Sequence, residues 1–166
     1  MKRNKTISLL FISVGLTALL VGVVFGLLAG IQVVQPSFLK ETIAFNQMRP
    51  FHVSTVVGWI ILTVTGGVYY YLTQVLNLKL FAPKLLRIHF VLFMLCIVCI
   101  YISYFTGKMG GREYLAFMPI IIIPIIIGWI LFGINYFKTL VGKVKQWPLH
   151  LWMWGTGIVF MTYHLT

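Results

Sequence analysis

Five long apolar runs dominate the sequence and limit what the chain can fold into. They cover residues 7–34, 51–76, 85–105, 116–137 and 148–166, and short polar loops separate them. A helix that crosses a membrane needs about 20 predominantly apolar residues, and every run is close to that length or longer. We therefore predict an all-α integral membrane protein with five antiparallel transmembrane helices, which form a single transmembrane domain over residues 1–166.

The composition excludes most soluble functions. Charged residues make up only 9% of the 166 residues, whereas soluble domains contain about a quarter. The chain has no aspartate and two glutamates, Glu41 and Glu113, so it cannot supply paired carboxylates for acid–base chemistry at one site. Cys96 and Cys99 lie inside an apolar run and predict neither a disulfide nor a zinc site. The first run is too long for a cleaved signal peptide.

The 13 basic residues are divided unequally between the two ends of the predicted helices. Nine share the end of the N-terminus: Lys2, Arg3, Lys5, Lys79, Lys84, Arg87, Lys138, Lys143 and Lys145. The opposite end holds four: Lys40, Arg49, Lys108 and Arg112. The positive-inside rule places the first group in the cytoplasm. We expect these residues to set the orientation and to meet anionic membrane lipid, with no nucleic-acid partner.

The second run carries the strongest candidate for a functional residue, His52. At 100° per residue, His52 shares one helix stripe with Trp59, Thr63, Gly66 and Tyr70. An ionisable side chain inside a membrane indicates a function by default, and the small residues at 63 and 66 would leave room for a flat macrocycle bound by the imidazole. The alternative is a hydrogen bond from His52 to water or to a loop carbonyl.

The other three histidines differ in their depth in the membrane. His89 and His150 open the third and fifth runs, about 25 to 30 Å from His52 at 1.5 Å per residue. We therefore expect interfacial or capping roles for both. His164 ends the fifth run at the level of His52, so a bis-histidine haem site between the second and fifth helices stays open beside a water-bonded terminal role.

Glycines in the first run predict a close helix contact. Gly22, Gly26 and Gly30 recur at intervals of four residues, and small residues at that spacing let a neighbouring helix backbone approach closely.

The loop at 106–114 holds Arg112 next to Glu113, on the predicted side of His52. Two interpretations are open. The pair forms an exposed ion pair of little energetic weight, or the guanidinium meets haem propionates while the carboxylate binds a hard cation such as calcium.

Two motifs resemble a known family. Residues 48–53, Met-Arg-Pro-Phe-His-Val, followed by Trp59 and by Gly-Gly-Val-Tyr-Tyr at 66–70, resemble the second helix of the nitric oxide reductase large subunit. Residues 111–115, Gly-Arg-Glu-Tyr-Leu, resemble the outer-loop signature of the same reductases. Their large subunit is the subunit I of the haem–copper oxidase superfamily, and C-type cytochrome c oxidases share much of the pattern. The resemblance covers the N-terminal five helices of a twelve-helix bundle.

The resemblance implies roles for three residues. His52 would be one axial ligand of the low-spin haem b iron, Glu113 would bind calcium, and Arg112 would lie near the haem propionates. Electrons would come from a cytochrome c-type or quinol donor component and pass to a high-spin haem and a non-haem iron or copper. Nitric oxide would be reduced to nitrous oxide there, or oxygen to water. The location implied is the bacterial inner membrane.

The chain also departs from the family pattern. The second axial histidine and the ligands of the binuclear centre belong to later helices, which are partners the resemblance requires. Residues 147–152, Trp-Pro-Leu-His-Leu-Trp, resemble the metal-ligand helix, but Trp154 stands where the family has glutamate, so we do not assign His150 as a ligand. We expect an N-terminal portion of subunit I that is inactive alone. A self-contained bis-histidine cytochrome b and a haem-free membrane scaffold are the alternatives.

Overall fold

The computed structural model describes residues 2–110 and 112–165, so Gly111 of the loop motif and Thr166 of the fifth run lie outside the described residues. The elements are α1 (Lys2–Val34), α2 (Phe45–Tyr70), a π-helix (Tyr71–Val75), α3 (Pro83–Phe105), a 3₁₀ turn (Pro119–Ile121), α4 (Ile122–Leu140) and α5 (Leu149–Leu165). Within the described ranges the extended structure is one isolated bridge between Met109 and Phe117. The prediction of an all-α protein is confirmed.

Four helical segments are long and apolar enough to cross a membrane. They are Arg3–Val34, Phe45–Val75, Pro83–Phe105 and Pro119–Leu140. The remaining helix, α5, has 17 residues, which is shorter than the roughly 20 residues that a straight crossing requires.

The contact between α1 and α2 is built on glycine. A Cβ atom at Gly26 would lie 2.7 Å from the His52 ring, and one at Gly22 would lie 3.0 Å from a methyl of Val56. Gly15 against Thr63 and Gly66 against the carbonyl of Ser8 are equally close. The predicted seam is therefore confirmed at Gly22 and Gly26. Gly30 lies outside the seam, because a Cβ atom at this position would have nothing within 4 Å.

Helix α2 begins six residues before the apolar run that indicates it. Gln47 fixes this beginning, since its Oε1 accepts a hydrogen bond from the Ala44 amide at 3.3 Å and its Nε2 donates to the Tyr104 carbonyl at 3.1 Å. Pro50 consequently lies inside the helix. The polar residues at 46, 47 and 49 conceal this first turn from a search for hydrophobic runs.

His89 corrects an expectation from the sequence. The imidazole is fully buried, with its ring centroid 4.3 Å from that of Phe93, 5.2 Å from Phe11 and 5.7 Å from Phe132. Neither ring nitrogen has a hydrogen-bond partner among the described residues. The prediction of an interfacial or capping role is therefore wrong. Its depth was inferred from its neighbour Arg87, but two residues rotate a helix by about 200°, which turns His89 into the bundle.

Antiparallel packing gathers most of the positive charge at one end of the bundle. We call it the basic end and define it by Arg3, Lys5, Lys79, Lys84, Arg87, Lys138, Lys143 and Lys145. Its two loops are joined by hydrogen bonds, since the Ala82 amide donates to Asn135 Oδ1 at 3.1 Å and Lys143 Nζ donates to the Lys79 carbonyl at 2.7 Å. Both carboxylates, Glu41 and Glu113, belong to loops at the opposite end.

Candidate functional site

His52 points from the second turn of α2 towards α1, and its imidazole has a defined hydrogen bond. Nδ1 lies 2.6 Å from the carbonyl oxygen of Gly22. A carbonyl oxygen only accepts, so Nδ1 must carry the ring proton and donate it. In the neutral imidazole Nε2 then holds the free lone pair, and it has no hydrogen-bond partner among the described residues. This is the protonation state in which histidine binds a metal through Nε2.

Aromatic packing holds α1 and α2 in register at the level of His52. The Phe25 and Phe51 rings stack with centroids 4.0 Å apart, and Phe51 lies 4.5 Å from the ring of Tyr101 on α3. Gly26 completes the site by leaving room for the imidazole, since any side chain there would collide with it. The half-buried ring therefore has a fixed hydrogen-bond acceptor and little freedom to turn away from it.

The space predicted beside His52 is not open. Thr63 and Gly66, whose small size would leave room for a macrocycle, instead pack against Gly15, Ser8 and the helix around them on α1. The expectation of a pocket over these two residues is therefore wrong. The physical reason is that the same small side chains that would admit a ligand also admit a helix backbone.

The opposite face of α2 lines a largely apolar cavity of about 260 Å³. Ser54, Val57 and Ile61 line it, and these positions lie between about 140° and 200° around α2 from His52. His164 of α5 lines the same cavity. The structure thus separates His52 and His164 by the body of α2 and does not form the bis-histidine pair. His150 lies between the rings of Tyr71 and Trp154 at the basic end.

The loop that follows α3 is held by hydrogen bonds rather than by an ion pair. Ser103 Oγ donates to the Lys108 carbonyl and accepts from the Met118 amide. The Arg112 guanidinium donates to the backbone carbonyl of His164. In the described part of the chain no ion pair joins Arg112 to the exposed Glu113, so the ion-pair interpretation of this loop is wrong.

The structure adds Arg49 to the candidate residues. Arg49, Val53 and Glu113 line one small cleft of about 50 Å³ between the start of α2 and the loop. The sequence analysis used Arg49 only for topology, although its position one helical turn before His52 is a signal for it. No group of three or more His, Cys, Asp or Glu side chains able to hold a metal occurs within residues 2–110 and 112–165.

Comparison with known proteins agrees with the motifs. The family described as cytochrome c and quinol oxidase polypeptide I matches residues 6–166. The chain belongs to this family. It is also 34% identical over 71 residues to a nitric oxide reductase subunit of Stutzerimonas stutzeri. That stretch is 43% of this chain, and the chain covers only 15% of the relative.

The family is subunit I of the haem–copper oxidases, so the resemblance is confirmed. Together with the four helices of sufficient length, it identifies a multi-pass membrane protein.

Gly26→Ala should destabilise the α1–α2 contact. Its methyl would lie 2.7 Å from the His52 ring, and overpacking of this kind costs about 1 to 3 kcal/mol. Gly30→Ala is the matched control, because nothing lies within 4 Å and alanine favours a helix by about 1 kcal/mol over glycine. Thermal unfolding in detergent should show a lower midpoint for Gly26→Ala alone. Equal midpoints for both variants would contradict this contact.

Proposed function

We propose that this chain supplies the N-terminal helices of a respiratory haem–copper-type oxidoreductase and that His52 is an axial ligand of its low-spin haem b. The observation that carries the proposal is the Nδ1 hydrogen bond to the Gly22 carbonyl, which leaves Nε2 without a partner among the described residues. Family membership supports the class of enzyme. When bound, haem b supplies one-electron transfer.

The residues around His52 have separate tasks in this proposal. His52 Nε2 donates its lone pair to the iron, and the Gly22 carbonyl orients the ring and raises the basicity of the ligand nitrogen. Gly26 supplies the clearance that this ring position requires. Because α1 fills the space over Thr63 and Gly66, we assign the remaining walls of the haem site, with its second axial ligand, to helices outside the described residues.

Arg112 and Glu113 extend the proposal to the end of the bundle near His52. A guanidinium matches the geometry of a carboxylate, so we assign Arg112, with Arg49, to the haem propionates. Arg112 is exposed and bonded to one backbone carbonyl, which it can exchange for a stronger anionic partner. We assign Glu113 to calcium. Calcium takes six to eight oxygen ligands, so carbonyls, water or propionates must complete the site around this single carboxylate.

The reaction follows from the relatives and not from side chains of this chain. The comparisons support reduction of nitric oxide or of oxygen at a high-spin haem and a non-haem iron or copper, with electrons from a cytochrome c-type or quinol donor. The proposal places the ligands of that centre in partner helices. We therefore expect no turnover from this chain alone.

We propose that the basic end faces the cytoplasm of a bacterial cell and that α5 is a fifth crossing. The positive-inside rule supports the orientation. Two hydrogen bonds support the crossing, because Trp129 Nε1 donates to the Ile158 carbonyl at 3.0 Å and Tyr136 Oη to the Leu151 carbonyl at 2.6 Å. The bonded residues are seven positions apart on both helices, so α5 runs antiparallel along α4, which is long enough to cross.

Removing the imidazole tests the haem assignment. In the complete complex purified from membranes, His52→Ala should abolish the low-spin haem b absorption, because one axial ligand is lost. His164→Ala is the matched control and should keep the spectrum, because His164 lies across α2 from His52. In the same preparations Glu113→Gln should lower the calcium content. A normal low-spin spectrum in an assembled His52→Ala complex would refute the assignment.

Single cysteines test the topology. In a Cys96→Ser, Cys99→Ser background, Lys40→Cys and Tyr163→Cys should react with an impermeant maleimide in spheroplasts, because both are expected on the outer side. Lys145→Cys should react only after permeabilisation. The reverse pattern would invert the orientation, and reaction of Tyr163→Cys together with Lys145→Cys would mean that α5 does not cross.

A further inference from the structure

A cleft at the basic end has the chemistry of a lipid site. It has a volume of about 570 Å³, lies between α1 and α3, and is lined by Arg3, Thr6, Ile7, Arg87, Phe90 and Val91. We propose that this cleft binds the phosphate head group of an anionic phospholipid between Arg3 and Arg87, with an acyl chain along its apolar walls.

The cleft has a charged mouth and an apolar interior. Arg3 belongs to the first turn of α1 and Arg87 to the second turn of α3, so two different helices bring guanidinium groups to one opening. Deeper in the membrane the ring of Phe90 meets that of Phe11 edge-on, with centroids 5.0 Å apart. This pair closes the gap between the helices below the cleft. An amphiphile with a compact anionic head matches both parts of this surface.

Charge balance indicates that the ligand is an anion. The two carboxylates of the chain, Glu41 and Glu113, belong to loops at the opposite end, beyond the length of α1. Neither Arg3 nor Arg87 has a hydrogen-bond or ion-pair partner among the described residues. Two lysines of the same end do have protein partners, since Lys138 lies over the Phe81 ring and Lys143 bonds the Lys79 carbonyl. The two arginines are thus left for a group outside the protein.

The apolar walls favour a lipid over a free phosphate ion. Ile7, Phe90 and Val91 give a soluble anion nothing to bind, but they give an acyl chain a continuous surface. Val91 is 55% exposed, and Ile88 and Leu95 on the same helix are similarly open, so this surface continues along α3 towards the bilayer interior. Guanidinium groups bind phosphate oxygens through paired hydrogen bonds, and basic pockets between membrane helices are typical sites for anionic head groups.

Retention of a defined lipid tests the proposal. The full chain is purified in detergent, dioleoylphosphatidylglycerol or dioleoylphosphatidylcholine is added, and bound lipid is counted by native mass spectrometry. Phosphatidylglycerol should be retained in preference to phosphatidylcholine. Arg3→Gln with Arg87→Gln should weaken that retention by about 30-fold, because two basic contacts to the head group are lost. Lys84→Gln with Lys145→Gln removes the same charge at the same end and should leave retention unchanged.

Further arms separate the alternatives. Arg3→Lys with Arg87→Lys should restore part of the binding, which a misfolded variant would not do. Equal retention of both lipids would show an apolar groove only, and displacement of phosphatidylglycerol by millimolar inorganic phosphate would show a free-anion site. Loss of the lipid when the complete complex is measured would show that a partner helix covers the cleft. Each of these three results would overturn the proposal, as would equal retention by the two double glutamine variants.

Discussion

The hydrogen bond from His52 to the Gly22 carbonyl is the interaction on which the site depends. It forms only because two glycines let α1 lie against α2, and it determines which nitrogen of the imidazole is available. A carbonyl of a regular helix is already engaged with its own helix, but its second lone pair can accept from a neighbour. The glycine seam therefore has a chemical consequence beyond packing, because it prepares one histidine nitrogen for a metal.

The remaining features of the site follow from the helix register. Stacking of Phe25 on Phe51 and hydrogen bonds from Gln47 fix the beginning of α2. That beginning brings Arg49 to the loop that carries Glu113. The same antiparallel arrangement concentrates positive charge at the other end and leaves it without carboxylates. One packing pattern thus separates a region suited to a cofactor from a region suited to lipid.

Much of this could be predicted from the sequence, and the failures share one cause. The long apolar runs indicated an all-helical membrane protein, and two motifs indicated the family, because both depend on local sequence. The rotation of each helix does not. The buried position of His89, the filling of the space at Thr63 and Gly66, and the location of His164 across α2 all depend on which face a neighbouring helix covers. With so few polar residues in each run, hydrophobic periodicity carries little information about that face.

The tautomer of His52 tests the central claim most directly. Nitrogen-15 NMR of the chain with labelled histidine, reconstituted in lipid, distinguishes protonated from unprotonated ring nitrogens, and His52→Asn assigns the signals. The account predicts a neutral ring with the proton on Nδ1, engaged in a hydrogen bond, and an unprotonated Nε2. A proton on Nε2 with a bare Nδ1 would contradict the Gly22 contact and remove the physical basis for iron binding at this histidine.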